Sequence, residues 1–409
     1  MKIAICHTDF RLYWLPRLAA LANFLTERNS SLHVIEIAGQ GSPYAFAGNS
    51  DLSLLPCPWT CLFPEERMED ICPKVASSRL YETLDHIHPD IVIAGAIAYP
   101  SGATAVRWAR NMKRPVIIMD DVRLRDVQRS SLVNWVKRRI YANVDAMFIP
   151  ATSHASDYKF WNIPEEKMFF GIDVVDNVFF SKRSAIARQN ASAVKKKYNL
   201  PDRFFLGVGR QIPKKTWEML IGAFSAAVRG VKNDEWGLVL VGDGPEAPRL
   251  KEMASLSDGK IVFLPFQNQE ALCQFYGTAE CFVLPSGYGE TWGLVVNEAM
   301  SSSLPVIVSR ECGCANTLVR NGYNGWQFDP RDLENLAQPL NRFMLLSDED
   351  KRQMGARSLD IISDWGLERF CTGLWQAVEY CGQLPARSFD SSIVDRIILN
   401  LWKGRYRPE

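Results

Sequence analysis

The chain has 409 residues, of which 47% are apolar and 23% are charged, and its formal net charge is +1. This composition is that of a globular protein with enough residues for two or three domains. A net charge near zero gives no electrostatic reason to expect nucleic acid as a partner, and we predict none.

The beginning of the chain and its cysteines bear on location and on metal binding. The sequence opens with a strand-like segment rather than a basic and then apolar leader, and it has no apolar run near the length of a membrane span. We therefore expect a cytoplasmic protein. Ten cysteines, several in apolar settings such as Cys6 and Cys281, favour reduced buried thiols. Cys312 and Cys314 have no neighbouring histidine, and we predict no metal site.

The first half of the chain alternates short runs rich in valine and isoleucine with helical stretches. We predict a helix at 15–28 and strands at 2–6, 32–36, 91–94, 115–119 and 146–149. This alternation is typical of a parallel sheet that is covered by helices on both faces.

The same scheme returns after a polar, basic stretch at 179–199, which we interpret as a domain boundary. The second half contains predicted strands at 204–208, 237–241, 261–264, 281–284 and 306–308, and predicted helices at 217–228, 248–255, 270–276 and 293–300. The sequence thus predicts an α/β protein with two doubly wound, Rossmann-like domains, 1–185 and 186–385, facing a central cleft. In the tail, 386–409, the amphipathic segment 391–402 is expected to cross back onto the first domain.

Two carboxylates lie eight positions apart in the glycine-rich segment 286–300. Glu290 falls in a predicted loop and Glu298 within the helix that follows, so the helical rise between them is roughly 12 Å. The residues that open the helix offer unpaired N–H donors at a positive dipole end, which suits a diphosphate; they are Thr291, Trp292, Gly293, Leu294 and Val295. The layout fits a nucleotide-sugar.

Cations follow the strand at 204–208. Gly209 and Arg210 come directly after it and Lys215 precedes the next helix, so that Arg210 and Lys215 are placed to neutralise a diphosphate. A solvated basic turn is an equally good interpretation of these residues.

Two further loops follow the next strands in the chain. Gly242 and Gly244 lie in a turn where glycine permits close backbone approach, although such a sequence is more often a turn without a ligand. Phe266 and Gln267 come after the strand at 261–264. Phe266 either presents its ring to a nucleobase or packs into the core, and the second alternative is slightly favoured.

The ordered set of these motifs resembles glycosyltransferase family four, whose members have the GT-B fold. The resemblance covers about 204–330, through Gly209-Arg210 with Lys215, 241–245, 263–266, 290–300, 304–309 and 324–325. It implies a hexosyltransferase that moves a sugar from a UDP- or GDP-sugar to a saccharide or lipid-linked acceptor. It also implies retention of anomeric configuration, and neither metal nor cofactor.

The resemblance also implies roles for individual residues. Arg210 and Lys215 hold the diphosphate, Glu298 accepts hydrogen bonds from the ribose hydroxyls, and Glu290 holds the donor sugar together with the backbone of 291–293. This arrangement is physically reasonable because cations and helix N–H donors stabilise the negative charge that grows on the leaving diphosphate.

The first domain departs from the family pattern after two strands. Relatives often carry paired glycines where this chain has His7 and Asp9, and a histidine where it has Asp120 and Asp121. We assign His7, Asp9 and Asp121 to the acceptor side. Asp121 either orients or deprotonates the acceptor hydroxyl, or caps a helix, and His7 is at least as readily a structural residue.

The segment 107–141 is strongly basic, with ten Lys and Arg against three Asp. Trp135 and aliphatic residues recur in it at helical spacing, a pattern typical of a helix on anionic lipid. We therefore predict contact with an anionic membrane surface on its inner face; a helix whose Trp135 and Ile140 face the core is the alternative.

For the whole chain, the alternatives are another GT-B enzyme, such as an epimerase or a phosphorylase, and a catalytically silent GT-B subunit.

Overall fold

The computed structural model describes residues 1–40, 52–231, 235–385 and 390–404, so 386–389 and 405–409 of the predicted tail lie outside the described residues. The chain divides into two compact units. The first unit comprises Met1–Leu124, Gln128–Val174 and Leu367–Glu409. The second unit comprises Arg125–Val127 and Val175–Gly366.

The first unit is built on a parallel sheet of seven described strands. These are β1 (Lys2–His7), β2 (Ser31–Gln40), β3 (Trp59–Arg67), β4 (Ile91–Ala94), β5 (Val116–Met119), β6 (Ala146–Ile149) and β7 (Met168–Phe170). They lie in the order β3-β2-β1-β4-β5-β6-β7, and each neighbouring pair is parallel. β4, β5 and β6 are buried along their whole length, as expected for strands with helices on both faces.

Helices cover both faces of this sheet. In chain order they begin with α1 (Trp14–Thr26), α2 (Pro73–Ile87), α3 (Pro100–Met112), α4 (Ser131–Tyr141) and α5 (Ala155–Lys159). Leu18 and Leu21 of α1 enter the core on one face. Leu80 of α2, Trp108 of α3 and Ile140 of α4 enter the core on the other.

The second unit contains a parallel sheet of six described strands. They are β8 (Arg203–Val208), β9 (Trp236–Val241), β10 (Lys260–Leu264), β11 (Cys281–Leu284), β12 (Val306–Ser309) and β13 (Gly325–Phe328), in the order β10-β9-β8-β11-β12-β13. Its helices are α6 (Asn177–Gln189), α7 (Ala191–Tyr198), α8 (Trp217–Val231), α9 (Ala247–Ser255), α10 (Gln269–Thr278), α11 (Leu294–Ser301), α12 (Ala315–Leu318), α13 (Glu334–Leu345) and α14 (Asp348–Ser363).

The last two described helices, α15 (Leu367–Gly382) and α16 (Ile393–Leu401), return to the first unit. Phe370 and Leu374 of α15 join the core beside α1, and Leu399 of α16 joins the core on the opposite face. The predicted α/β class with two doubly wound, Rossmann-like halves is confirmed, as is the return of the C-terminal helix. In each sheet the strand order reverses beside one strand, β1 in the first unit and β8 in the second.

Candidate functional site

The candidate site begins at the carboxyl ends of β8 and β11, neighbouring strands at the point where the order of the second sheet reverses. Doubly wound sheets bind ligands at such points. Lys215 ends a short 3-10 turn (Pro213–Lys215) after β8, and Glu290 lies in the loop after β11. The structure brings their side chains together as an ion pair.

The Glu290 carboxylate accepts hydrogen bonds from Lys215 Nζ and, at 2.8 Å, from Ser286 Oγ. The Lys215 and Glu290 side chains are 11% and 15% exposed. Burial by itself raises the pKa of Glu290, but the charge of Lys215, the two hydrogen bonds and the nearby Lys214 outweigh it, so the pKa lies below its ordinary value. The site therefore holds an ionised carboxylate beside a fixed cation at neutral pH.

Direct hydrogen bonds join the loop after β8 to the loop after β11. The Gly287 N–H donates to the Lys214 carbonyl at 2.9 Å, and Thr216 Oγ1 donates to the Pro285 carbonyl at 2.6 Å. A Cβ at Gly287 would lie 2.7 Å from Thr216 Cγ2, so the close approach of the loops requires glycine there. These contacts fix the positions of Lys215 and Glu290.

The predicted glycines after β9 serve the contact between two turns. Gly242 has a φ of 140°, and a Cβ there would lie 2.1 Å from the carbonyl oxygen of Gly209. A Cβ at Gly244 would lie 2.3 Å from the carbonyl oxygen of Gln211. Gln211, which sequence reasoning missed, is 3% exposed and donates from Nε2 to the Gly242 carbonyl at 2.8 Å. The glycines thus let the turns after β8 and β9 pack together.

The remaining predicted residues of these loops are half-buried. Arg210 accepts at its carbonyl from Trp217 Nε1 at 2.9 Å. The Phe266 N–H donates to Asp243 Oδ2 at 2.7 Å, which ties the turn after β9 to the loop after β10. Gln267 lies beside Phe266 in that loop. The sequence pattern does not reveal the role of Asp243, because it depends on a loop 23 residues away.

The start of α11 combines a glycine of positive φ with a buried aromatic ring. Gly293 has a φ of 107°, a conformation that favours glycine, and α11 begins at the next residue. Thr291, Leu294 and Val295 are half-buried. Trp292 is 1% exposed and donates from Nε1 to Asn297 Oδ1 at 2.9 Å, so its side chain belongs to the core.

Glu298 lies on the side of α11 that faces α10. Its side chain is fully buried, and its Oε2 accepts a hydrogen bond from the Tyr276 hydroxyl at 2.6 Å. Glu290 and Glu298 are therefore held in different surroundings, one in an ion pair at a loop and the other in a hydrogen bond between helices.

In the first unit, His7 is the last residue of β1 and Asp9 lies in the loop that follows. His7 Nδ1 is 3.0 Å from the Asp9 carbonyl oxygen, and the His7 ring packs against Trp14 with centroids 5.2 Å apart. Burial lowers the pKa of His7 to about 4, so the ring is neutral at neutral pH. Burial raises the pKa of Asp9 to about 6, against the opposing charge of Arg11.

The two aspartates after β5 have different environments. Asp120 is buried and accepts from the Tyr141 hydroxyl at 2.8 Å, whereas Asp121 is half-buried. Burial, together with the charge of Asp121, raises the pKa of Asp173 to about 8, and Arg17 opposes this shift. Sequence reasoning missed Asp173 because the short strand β7 that precedes it was not predicted.

The basic segment 107–141 is less exposed than its composition indicates, and acidic partners neutralise much of its positive charge. Arg123 and Lys137 are buried, and five of its other cations form ion pairs: Arg110 with Asp145, Lys113 with Asp390, Arg114 with Asp90, Arg125 with Glu311 and Arg139 with Asp395. In α4, Leu132 and Trp135 are exposed while Ile140 is fully buried. The alternative interpretation of this helix has both Trp135 and Ile140 facing the core, but only Ile140 does so.

Two observations concern metals and membranes. Within the part of the chain that the structure describes, no three His, Cys, Asp or Glu side chains are grouped so that they could hold a metal ion. The same residues include no helix with the length and apolar character needed to span a bilayer.

The match to a known sequence family lies within the second unit. Residues 189–358 match the family described as "Glycosyl transferases group 1". The chain is 33% identical over 149 residues to the sulfoquinovosyl transferase SQD2 of Arabidopsis thaliana, covering 36% of this chain and 27% of that protein. It is 31% identical over 202 residues to a GDP-mannose-dependent alpha-mannosyltransferase of Corynebacterium glutamicum, covering 48% and 45%. The chain thus spans less than half the length of these curated relatives.

Solved structures share the fold over nearly the whole chain. A glycosyltransferase from Rickettsia africae superposes with a TM-score of 0.74 at 15% identity, covering 94% of this chain and 99% of that one. Anabaena Alr3699/HepE, in complex with UDP and glucose, superposes with a TM-score of 0.69 at 16% identity, covering 93% and 99%. The fold is GT-B, and the resemblance to glycosyltransferases is confirmed.

Proposed function

We propose that the chain is a retaining, metal-independent hexosyltransferase that moves a sugar from a UDP- or GDP-sugar to a saccharide or lipid-linked acceptor. The Lys215–Glu290 ion pair is the observation that carries the proposal, because it lies at the switch point of the sheet within the segment that matches the family. We place the enzyme in the cytoplasm, in polysaccharide or glycolipid biosynthesis, and it needs no cofactor.

The proposed chemistry follows from where charge develops. As the diphosphate leaves, negative charge grows on its oxygens and positive charge on the anomeric carbon. Arg210, Lys215 and the N–H groups at the start of α11 would stabilise the phosphate oxygens. The ionised Glu290 would accept hydrogen bonds from the donor sugar. Retention would follow if the acceptor attacks the face that the diphosphate vacates, with a phosphate oxygen taking the acceptor proton.

The names of similar proteins support this class of donor. One solved structure is Alr3699/HepE with UDP-glucose, and another is an Escherichia coli protein bound with UDP-2-fluoro glucose. The relative from Corynebacterium glutamicum is named for its dependence on GDP-mannose. For this reason both UDP- and GDP-sugars belong in the test.

The test is a thermal-shift screen of the full chain against UDP, GDP, ADP and their sugars, followed by an assay for slow donor hydrolysis. A ligand that binds the native state alone raises its stability, so the correct nucleotide should raise the Tm. If no nucleotide-sugar is bound or hydrolysed, the proposal is wrong. Binding without hydrolysis or transfer would indicate a catalytically silent subunit. Isomerisation of the donor would indicate an epimerase, and an absorbance band of a Schiff base would indicate a phosphorylase.

On the acceptor side, we propose that Asp121, after β5, orients the acceptor hydroxyl, together with His7 at the end of β1 and Asp9 in the loop that follows. The electrostatic interaction of Asp121 with Asp173 supports this position, since grouped carboxyl groups with shifted pKa values are common at functional sites. Asp121→Asn should slow transfer to the acceptor more than it slows hydrolysis of the donor. Equal slowing of both reactions would contradict the assignment.

We also propose that the segment 107–141 meets an anionic membrane surface through the exposed start of α4. Leu132 and Trp135 are 70% and 49% exposed, and Arg138 lies on the same helix. The double variant Leu132→Asp with Trp135→Asp should reduce flotation with phosphatidylglycerol vesicles. Unchanged flotation would exclude α4 as the contact.

A further inference from the structure

Helix α16 presents apolar residues to the surface. Ile393, Val394, Ile397 and Leu401 are 78%, 47%, 54% and 77% exposed, whereas Leu399 is 3% exposed. The four exposed residues recur at a spacing that puts them on one side of the helix. We call these four side chains the α16 ridge. Contiguous apolar surface of this kind marks an interaction site more often than scattered single residues do.

Polar contacts hold α16 with this side outward. Asp395 is 9% exposed and forms an ion pair with Arg139 Nε of α4 at 2.8 Å. Ser392 Oγ accepts from Arg139 Nη2 at 3.0 Å and donates to Asp395 Oδ2 at 2.7 Å. Beyond the other end of the helix, Trp402 Nε1 donates to the Ile97 carbonyl at 2.7 Å. A rotation of α16 that buried the ridge would break these bonds. The bonds therefore keep the α16 ridge exposed.

The charges around the ridge are chiefly positive. Near the start of α16, Asp390 forms an ion pair with Lys113 and Asp395 forms one with Arg139, so both carboxylates are neutralised. Arg396 is exposed on the helix itself. After the helix, burial and the charges of Arg107 and Lys74 lower the pKa of Lys403, which shows that three cations lie close together there.

We propose that the α16 ridge rests on an anionic lipid surface, with its aliphatic side chains among the headgroups and acyl boundary and with Arg396 and Lys403 near lipid phosphates. Aliphatic burial supplies the attraction, and the neighbouring cations select anionic over neutral lipid. The inference uses residues different from those of the α4 contact, and it holds whether or not the chain transfers a sugar. Its failure is therefore separable from failure of the proposed activity.

The experiment is flotation of the full chain with vesicles of phosphatidylcholine alone or mixed with phosphatidylglycerol. The wild-type chain should float with the mixed vesicles and not with the neutral ones. The double variant Ile397→Asp with Leu401→Asp should bind the mixed vesicles at least about tenfold more weakly. Leu256→Asp, at an exposed position in the second unit, is the matched control and should bind as the wild type does.

Three outcomes would overturn the inference. The wild-type chain does not bind mixed vesicles, or the double variant binds them as well as the wild type, or sedimentation shows that the ridge instead joins two copies of the chain. Circular dichroism and thermal unfolding establish that the double variant is folded. Should it be unstable, Ile393→Asp repeats the test at a residue that is 78% exposed.

Discussion

The ammonium group of Lys215 and the carboxylate of Glu290 form an ion pair although the two residues lie 75 positions apart. The pair joins the loop after β8 to the loop after β11, and the same carboxylate accepts a hydrogen bond from Ser286. A diphosphate bound at Lys215 would compete with Glu290 for that cation. We therefore expect the pair to loosen when a donor binds, freeing Glu290 for hydroxyl groups of the sugar.

The first prediction concerns Glu290→Gln. This change keeps the volume of the side chain and an oxygen for Ser286, but it removes the charge opposite Lys215. We expect kcat/KM for donor hydrolysis or transfer to fall about a hundredfold or more, since fixed charge at a reacting centre is strongly catalytic. The free energy of unfolding should fall by roughly 1–3 kcal/mol because Lys215 loses its charged partner. Steady-state kinetics and urea unfolding measure the two effects.

Glu349→Gln is the matched control for this prediction. Glu349 forms an exposed ion pair with Arg352 at 2.7 Å in α14, and its loss should leave activity and stability unchanged. A Glu290→Gln variant with wild-type kinetics would show that Glu290 has no part in the reaction.

Much of the fold could be predicted because buried parallel strands leave a clear pattern. The runs that became β4, β5 and β6 are short, apolar and fully buried. β3 was missed because this edge strand carries Pro64 and charged, exposed residues, so its sequence does not look like a buried strand. The polar stretch 179–199 proved helical, since the few buried residues of α6, such as Phe180 and Ala187, do not make a strong apolar periodicity.

The candidate site was predictable to the extent that it follows from topology. Residues after β8 and β11 meet because neighbouring parallel strands end at the same edge of a sheet, and this brings Lys215 to Glu290. The burial of Trp292 was not predictable. Its ring packs against Trp365 with centroids 5.4 Å apart, and no local pattern reports a partner so distant in the chain.

The second prediction concerns Gly242→Ala. A Cβ there would lie 2.1 Å from the Gly209 carbonyl oxygen, and the φ of 140° is unfavourable for alanine. The turns after β8 and β9 must then separate, so we expect a loss of roughly 2–4 kcal/mol in the free energy of unfolding and weaker nucleotide binding. Urea unfolding and the thermal-shift screen measure both. Gly382→Ala, where a Cβ meets nothing within 4 Å, should be neutral in both assays.

The third prediction tests Glu298 as the ribose ligand. Glu298→Gln keeps an acceptor for the Tyr276 hydroxyl but replaces the other carboxyl oxygen with an amide NH2, so nucleoside diphosphate should bind about tenfold to a hundredfold more weakly. Tyr276→Phe separates this effect from a structural one, because it removes the buried donor and leaves the carboxylate in place. Isothermal titration of both variants gives the comparison. Equal affinity of Glu298→Gln and wild type would exclude the ribose assignment.

The fourth prediction concerns the pH dependence that Glu36 confers on stability. Glu36 lies in β2, is 5% exposed, and accepts a hydrogen bond from the Phe10 N–H at 3.2 Å. Burial raises its pKa from 4.5 to about 7, although that N–H and the charge of Arg11 oppose the shift. Between these two values the folded chain binds more protons than the unfolded chain at this residue. The contribution of Glu36 to stability therefore falls as the pH rises through this window.

Glu36→Gln imitates the protonated form at every pH and should abolish that loss. We expect the variant to be more stable than the wild type by roughly 1–3 kcal/mol at about pH 8, and to match it at about pH 4. Urea unfolding at both pH values measures the difference. Glu66→Gln, at an exposed position of β3, should leave the pH profile unchanged. If Glu36→Gln retains the wild-type slope between the two pH values, Glu36 is ionised in the folded protein and the expected cause of the slope is wrong.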